Sequence, residues 1–344
     1  MPSFFYRKQA DFTMRQDFLH RDADTKLCEH YIAAGAVCAL STNCEQLLEA
    51  ARYTFVAAES PQAPVDFSMR FWVNGTGSRE GSWPKPYLRG LDHLVFAGFD
   101  AHNSMLADLR TRRVIGRFST AMASDTRYWK TIIFPMLLSI MAGSLGLVEL
   151  HASCVARDHS GLILAGPSRS GKSTLAMALA EAGFRLLSDD RTFCSLADGK
   201  VQAWGLPRPI KLRREAASWF EEFRDREPTD VQNGERVFHF EPPQPGARNC
   251  EPRLLVFLER QEERGFSVVR IEENVARSRI EEDLLAEAPD ALQKQARALY
   301  QLLSIPRVLL RYGGHPRNIA NQLSELFSSL PRCRTSEGAG WKAS

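Results

Sequence analysis

The sequence predicts an α/β protein: an α/β domain with a phosphate-binding loop at residues 148–330, preceded by a small α+β unit at residues 1–147. Three observations support this class. A short apolar run, a glycine-rich loop and a helix-forming run follow one another at residues 162–181. Short strand patterns surround that loop, and several half-buried strand patterns occur in about the first 125 residues. Residues 331–344 are predicted to be a disordered tail.

Alternation of apolar and polar residues predicts the strands of the N-terminal unit. Between Asp66 and Val73, for example, Phe67 and Met69 share one face while Arg70 occupies the other, which is typical of a half-buried strand. Further strands are predicted at 37–41, 93–99, 104–109 and 114–118, and helices at 44–53 and 129–147.

Composition and charge limit the classes of protein. The 344 residues are 44% hydrophobic and 25% charged, with a formal net charge of +3, which is typical of a soluble globular protein. This near balance predicts neither a nucleic-acid nor a membrane partner. The seven cysteines are dispersed without a C-x-x-C pair, so we expect reduced thiols in a cytoplasmic protein. The apolar window Ile132–Val148 is about 17 residues long and predicts a buried helix, with a membrane span as the alternative.

The motif that carries the most chemistry is the loop Gly166–Ser173, which has the spacing G-x-x-x-x-G-K-[ST]. Its glycines let backbone N–H groups turn toward phosphates, and the following helix adds the positive end of its dipole. Lys172 is predicted to reach the β- and γ-phosphates, and the Ser173 hydroxyl to bind Mg²⁺. The alternative is a chance glycine turn with a surface lysine. The predicted nucleotide contacts are Gly166, Pro167, Ser168, Arg169, Ser170, Gly171, Lys172, Ser173 and Thr174.

A hairpin is predicted directly before this loop. Two adjacent strand patterns, of which the first is 148–155, are joined by a four-residue turn, and this favours antiparallel pairing. A register with Ala156 opposite Gly161 places His151 opposite Gly166, the first residue of the loop. We therefore expect His151 near the phosphates, with a satisfied core histidine as the alternative.

Two adjacent carboxylates follow the predicted helix and the next strand. Asp189 and Asp190 come 17 and 18 residues after Lys172, and ligand sites of α/β sheets gather at the carboxyl ends of strands. One carboxylate is suited to hold Mg²⁺ and the other to accept the proton of an attacking hydroxyl. A solvated Asp-Asp turn is the alternative.

The remaining chain supplies a basic segment and the later elements of the domain. Arg208, Lys211 and Arg213 are candidates for binding phosphates or an acidic substrate, and a solvated basic loop is the alternative. Residues 224–252 are predicted to be a mobile surface excursion. Strands are predicted at 185–190, 192–196, 201–204, 253–258 and 306–312, and helices at 173–181, 274–303 and 318–330.

Together, His151, Gly166–Ser173 and Ser188-Asp189-Asp190 resemble the bacterial HPr kinase/phosphorylase family. This resemblance implies a kinase domain related to phosphoenolpyruvate carboxykinase, which uses ATP and Mg²⁺ to phosphorylate a serine hydroxyl. It implies Asp189 as the base, Asp190 and Ser173 at the metal, and His151 as the support of Asp189 and the γ-phosphate.

Two positions of the loop depart from that family. Arg169 stands where HPr kinases usually have a small residue, and Thr174 where they have an acidic one, which argues against HPr as the acceptor. The second family signature is also not visible. The chain is more similar to HPr-kinase-like proteins of modified-peptide pathways, some of which phosphorylate lasso-peptide precursors.

These features predict an ATP- and Mg²⁺-dependent serine kinase that acts on a peptide or small protein, possesses no nucleic-acid or membrane partner, and forms a homo-oligomer. Two alternatives stay open: a nucleotide-binding regulator or scaffold without phosphotransfer, and a kinase for a small metabolite such as free serine.

Overall fold

A computed structural model describes residues 25–59, 64–75, 83–206, 209–223, 225–232, 235–240, 248–281 and 289–330. Within these residues the chain is a mixed α/β protein with three β-sheets. The predicted tail, residues 331–344, lies outside the described residues.

The first sheet is built from the N-terminal third of the chain and has eight strands in the order β3-β1-β2-β4-β8-β7-β6-β5. Its strands are β1 (Leu27–Ala33), β2 (Ala36–Thr42), β3 (Val56–Ala57), β4 (Phe67–Val73), β5 (Tyr87–Leu91), β6 (Leu94–Gly98), β7 (Ser104–Asp108) and β8 (Arg113–Phe118), and helix α1 (Glu45–Thr54) follows β2. Six of these elements were predicted within a few residues, namely β2, α1, β4, β6, β7 and β8, whereas β1, β3 and β5 were missed. Phe67, Met69 and Phe71 are buried on one face of β4, as the alternation predicted.

A long helical segment, Thr126–Leu145, covers this sheet. After the short helix α2 (Thr120–Ser124), it consists of α3 (Thr126–Tyr128), a π-helical turn (Trp129–Ile133) and α4 (Phe134–Leu145). Pro135 lies inside the segment and lacks the N–H that an α-helix needs; its ring would also meet the carbonyl four residues back. The wider π turn relieves that conflict.

The apolar face of this segment is buried, as predicted. Trp129, Phe134, Leu137 and Met141 have no solvent exposure and belong to the core of the first sheet. By length and composition alone the segment is long and apolar enough to cross a membrane, a property that core helices share.

The second sheet has nine strands, and the phosphate-loop sequence lies within it. Seven strands follow the path β12-β10-β11-β18-β14-β13-β9, and β20 joins β18 to β19. They are β9 (Val148–Leu150), β10 (Ala152–Arg157), β11 (Ser160–Ala165), β12 (Arg185–Ser188), β13 (Thr192–Ala197), β14 (Lys200–Gly205), β18 (Asn249–Arg260), β19 (Gly265–Arg270) and β20 (Arg307–Gly313). The helices around it are α5 (Lys172–Glu181), α7 (Glu273–Glu281), α8 (Pro289–Ser304) and α9 (Pro316–Ser329).

The pairing of three strands explains why distant residues meet at one edge of this sheet. β10 lies between β11 and β12 and is antiparallel to both. The carboxyl ends of β11 and β12 and the amino end of β10 therefore point to the same edge. The loop after Ala165, the carboxylates after Ser188 and His151 before Ala152 all belong to that edge.

The predicted hairpin register is confirmed, since Ala156 pairs with Gly161 and the last pair is Ala152 with Ala165. The predicted continuous strand 148–155 is wrong in one respect, because the chain breaks at His151. β9 pairs with β13, whereas β10 pairs with β11 and β12. The break frees His151 from both ladders at the edge of the sheet.

The prediction of a mobile excursion at 224–252 is wrong for the described residues of that range. β15 (Ile210–Arg213), β16 (Asp230–Gln232) and β17 (Glu235–Phe240) form a three-stranded antiparallel sheet in the order β15-β17-β16, and β18 begins at Asn249. Val237 and Phe238 are buried. Because the segment is highly charged, its sequence did not indicate that these two apolar residues would be buried in a sheet.

In the C-terminal half, α7 and α8 account for the described residues of the predicted helix 274–303, and residues 282–288 lie outside the described part. Strand β19 was not predicted. The strands of the eight-stranded sheet precede residues 119–147 in the sequence, and those of the nine-stranded sheet follow them. The division into domains at residue 147 stays a prediction. The six cysteines of the described residues are free thiols, as expected; Cys333 lies outside them.

Candidate functional site

The predicted order of strand, loop and helix is present, with β11 ending at Ala165 and α5 beginning at Lys172. Gly171 is the N-cap of α5 and has φ of +92°, a left-handed conformation that favours glycine. A Cβ at Gly171 would lie 2.1 Å from the Tyr312 hydroxyl oxygen. That hydroxyl donates a 2.6 Å hydrogen bond to the Ser170 carbonyl, so the end of β20 supports the loop directly.

Lys172 lies within the loop. Its Nζ donates to the carbonyl oxygens of Gly166 at 2.7 Å and Pro167 at 3.0 Å, and the residue is 7% exposed. The first N–H groups of a helix have no partner within the helix, and together with the positive dipole end they favour an anion. The loop also holds a buried hydroxyl, Ser170 Oγ, without a hydrogen-bond partner among the described residues.

Asp189 is a buried carboxylate at the same edge, 6% exposed. Ser153 on β10 donates to it at 2.7 Å, and the Ser173 hydroxyl and the Lys211 backbone N–H also donate. Burial raises the pKa of Asp189 above its ordinary value of 3.8, and the neighbouring Asp190 adds to this, while the three hydrogen bonds oppose it. A carboxylate with a raised pKa is suited to accept a proton.

Asp190 differs from its neighbour in both backbone and exposure. Its φ is +73°, and its side chain is 54% exposed, with Oδ1 at 3.1 Å from His151 Nδ1. The tight turn after β12 therefore sends the two carboxylates to different surroundings. The contact places His151 beside Asp190, whereas the resemblance implied that His151 supports Asp189.

The next residue, Arg191, connects this turn to the helical segment of the N-terminal part. Its guanidinium donates to Glu149 on β9 and to Ser139 on α4, each at 2.5 Å, and Ser139 also donates to Glu149 at 2.8 Å. Ser153 thus holds Asp189 directly, whereas the network holds Arg191, the residue next to Asp190.

The loop, the carboxylates and the three-stranded sheet enclose a cavity of about 1110 Å³. Its wall carries seven Lys or Arg side chains and three Asp or Glu side chains among the described residues. This excess of positive charge attracts an anionic ligand. The charged residues of the wall are Arg127, Arg169, Lys172, Lys211, Arg213, Arg214, Arg260, Asp189, Asp190 and Glu215.

Most of the predicted site residues meet at this cavity. The wall includes His151, Ser168, Arg169, Gly171, Lys172, Ser173, Thr174, Asp189, Asp190, Lys211 and Arg213. Gly166, Pro167 and Ser170 belong to the loop but not to the wall, and Arg208 lies outside the described residues. The roles assigned to these residues stay predictions.

Several residues of the site were not predicted. Ser153 had a signal, since a hydroxyl inside an apolar strand needs a partner. The others had none, because they come from elements that only the fold brings together; they are Arg127, Arg214, Trp219, His239, Arg260 and Tyr312.

The donors at this edge suit a nucleotide with Mg²⁺. Magnesium is usually held by one or two carboxylates together with substrate phosphates, not by a cage of protein ligands alone. The described residues contain no cluster of three or more His, Cys, Asp or Glu side chains arranged for a metal, whereas Ser173 and Asp190 border the cavity beside the loop. The N–H groups at the helix N-terminus suit the phosphates.

Comparisons with known proteins add little to this geometry. No protein-family model matches the chain, and no curated protein matches its sequence. Among solved structures, the HPr(Ser) kinase/phosphatase from Coxiella burnetii matches 52% of this chain and 88% of its own length, with 15% sequence identity and a TM-score of 0.29. At that identity and TM-score, the match indicates no more than a distant structural similarity.

Proposed function

We propose that this protein is an ATP- and Mg²⁺-dependent kinase that transfers the γ-phosphate to a serine-type hydroxyl of a peptide or small protein. One observation carries the proposal: a buried carboxylate with a raised pKa, Asp189, is hydrogen-bonded to Ser173, the serine of the phosphate-loop motif. Proton acceptor and phosphate loop therefore border one cationic cavity.

In this proposal each residue has one task. Lys172 and the N–H groups at the start of α5 bind the phosphates, and Ser173 with Asp190 holds the metal. Asp189 accepts the proton of the acceptor hydroxyl as the acceptor oxygen approaches, and His151 orients Asp190. ATP supplies the phosphoryl group, and Mg²⁺ neutralises its charge.

The three-stranded sheet is the proposed place of the acceptor. Lys211 and His239 form a cross-strand pair on β15 and β17, and Lys211, Arg213 and His239 line the cavity opposite the loop residues. A basic wall favours an acceptor with acidic residues near the hydroxyl. A ribosomal precursor peptide, such as a lasso-type precursor, fits this description, and the proposed enzyme is cytoplasmic and homo-oligomeric.

The proposal is tested by phosphotransfer from labelled ATP to peptides encoded beside the gene, read by mass spectrometry. We expect a mass increase of one phosphate on a serine of one such peptide, dependent on Mg²⁺. Transfer to free serine alone would favour a small-metabolite kinase instead. ATP binding without transfer to any peptide or metabolite would favour a nucleotide-binding regulator or scaffold.

Ser153→Ala should change how the rate depends on pH. The Ser153 hydroxyl lowers the pKa of Asp189, so its removal raises that pKa further. Because the base acts only when ionised, the acidic limb of the pH–rate profile should move to higher pH. Ser144→Ala is the control, since Ser144 is also buried and hydrogen-bonded but lies on α4. An unchanged acidic limb in Ser153→Ala would contradict the assignment of Asp189 as the base.

A further inference from the structure

The cavity continues into a second one whose wall has a different chemistry. This second cavity measures about 440 Å³ and shares Arg169, Trp219, Arg260 and Gly314 with the first. Gln261 and Glu262 complete its described wall. It therefore combines the indole of Trp219, the guanidinium groups of Arg169 and Arg260, the amide of Gln261 and the carboxylate of Glu262.

Trp219 is exposed in a segment that otherwise buries its large apolar side chains. It follows the short helix α6 (Arg214–Ala217) and precedes a 3₁₀ turn (Glu221–Phe223). Phe220 is 1% and Phe223 4% exposed, whereas Trp219 is 39% exposed. Burial of an indole ring is strongly favourable, and on the wall of both cavities the ring is accessible to a ligand that would cover it.

The indole is also held in place. The ring of His315 packs edge-on against it, with centroids 4.6 Å apart and an interplanar angle of 78°. His315 is itself fixed as the N-cap of α9, where its Nδ1 accepts a 3.3 Å hydrogen bond from the Arg317 N–H. A ring that is ordered before binding loses little conformational freedom when a ligand stacks on it.

We propose that this second cavity binds the nucleobase of the nucleotide whose phosphates occupy the loop, with the base stacked on Trp219. Aromatic and guanidinium planes are the groups on which bases stack. Gln261 and Glu262 supply a donor and acceptors for the base edge. Arg169 at the tip of the loop borders both cavities, so a nucleotide spans them without a gap. The inference rests on the proposed function and assigns the base contacts that it leaves open.

The test separates the base from the phosphates. Binding of a non-hydrolysable ATP analogue and of inorganic tripolyphosphate, each with Mg²⁺, is measured by calorimetry for the full chain and its variants. Trp219→Ala should weaken binding of the ATP analogue roughly 10-fold, the size expected for loss of one base–aromatic stack. Affinity for tripolyphosphate should stay unchanged, and Trp219→Phe should retain most of the affinity for the analogue.

Tyr300→Ala is the matched control, because Tyr300 is an aromatic residue of α8 with 58% exposure and lies in neither cavity wall. Equal weakening of both ligands by Trp219→Ala, or of neither, overturns the base site. A higher KM for the acceptor in Trp219→Ala, with unchanged affinity for the nucleotide, also overturns it, because Trp219 would then contact the acceptor. If the unaltered protein binds neither ligand, the proposed function fails together with the base site.

Discussion

Asp189→Asn should lower the rate of phosphotransfer about 10²–10⁴-fold, the range expected when a general base is lost, while binding of ATP stays close to normal. The asparagine side chain has nearly the same shape and its carbonyl oxygen still accepts the hydrogen bond of Ser153. It cannot accept a proton from the acceptor hydroxyl. Single-turnover transfer measures the rate, and calorimetry measures the affinity for nucleotide.

The same substitution should have two opposing effects on stability at neutral pH. The pKa of Asp189 is raised above 3.8 in the folded protein, so the folded state binds this proton more tightly than the unfolded state does. The free energy of unfolding therefore falls as pH rises from 3.8 through the raised pKa, and at pH 7 the folded state holds a buried charge. Asparagine removes that charge, which offsets the hydrogen bonds that its amide nitrogen cannot accept from Ser173 or the Lys211 N–H, so the free energy of unfolding at pH 7 should change by no more than about 1–3 kcal/mol.

Asp158→Asn is the matched control, since Asp158 is an exposed aspartate in the turn at the other end of the same hairpin. It should change neither rate nor stability. A fast Asp189→Asn variant would exclude Asp189 as the base. A variant that is slow but also strongly destabilised would assign Asp189 a structural role.

Gly171→Ala should weaken ATP binding by about 100-fold or more. The new Cβ lies 2.1 Å from the Tyr312 hydroxyl oxygen, and φ of +92° is strained for alanine. Backbone strain of this kind costs about 1–3 kcal/mol, and overpacking costs about as much. The loop can relieve both only by moving away from Tyr312, which disrupts the N–H groups at the start of α5. Calorimetry with Mg²⁺ and ATP measures the effect.

Gly183→Ala separates strain from steric overlap. Gly183 follows the other end of α5, has φ of +89°, and a Cβ there would meet nothing within 4 Å. This variant should lose stability, measured by urea unfolding, but keep its affinity for ATP. Normal ATP binding by Gly171→Ala would mean that the loop does not need the conformation described for it.

The elements around the phosphate loop were predictable because their signals are local. The four-residue turn specifies the hairpin register, and Gly183 after α5 has the left-handed conformation that glycine commonly adopts beyond a helix end. That register placed His151 opposite Gly166, whereas its contact with Asp190 was not predicted from it. The local pattern could not show the break at His151. An apolar run has the same sequence pattern whether it pairs with one neighbouring strand or, as β9 and β10 do here, with different ones.

The part of the cavity wall that the three-stranded sheet contributes depends on long-range pairing. Val237 and Phe238 are the two described anchors of a strand in a charged segment, and only pairing with β15 turns Lys211 and Arg213 toward a shared cavity. Tyr312 supports the loop from a strand 142 positions along the chain. Contacts of this kind have no signature in a single sequence.

The Arg191 network has a mechanical consequence. Arg191 follows Asp190 directly, and its hydrogen bonds to Glu149 and Ser139 reach a helix that is rooted in the core of the eight-stranded sheet. That core also contains Phe193 of β13 and Leu206, which follows β14. The position of Asp190 is therefore coupled to the position of α4 through Arg191. A ligand that displaces α4 must either break a charged hydrogen bond or carry Asp190 with it.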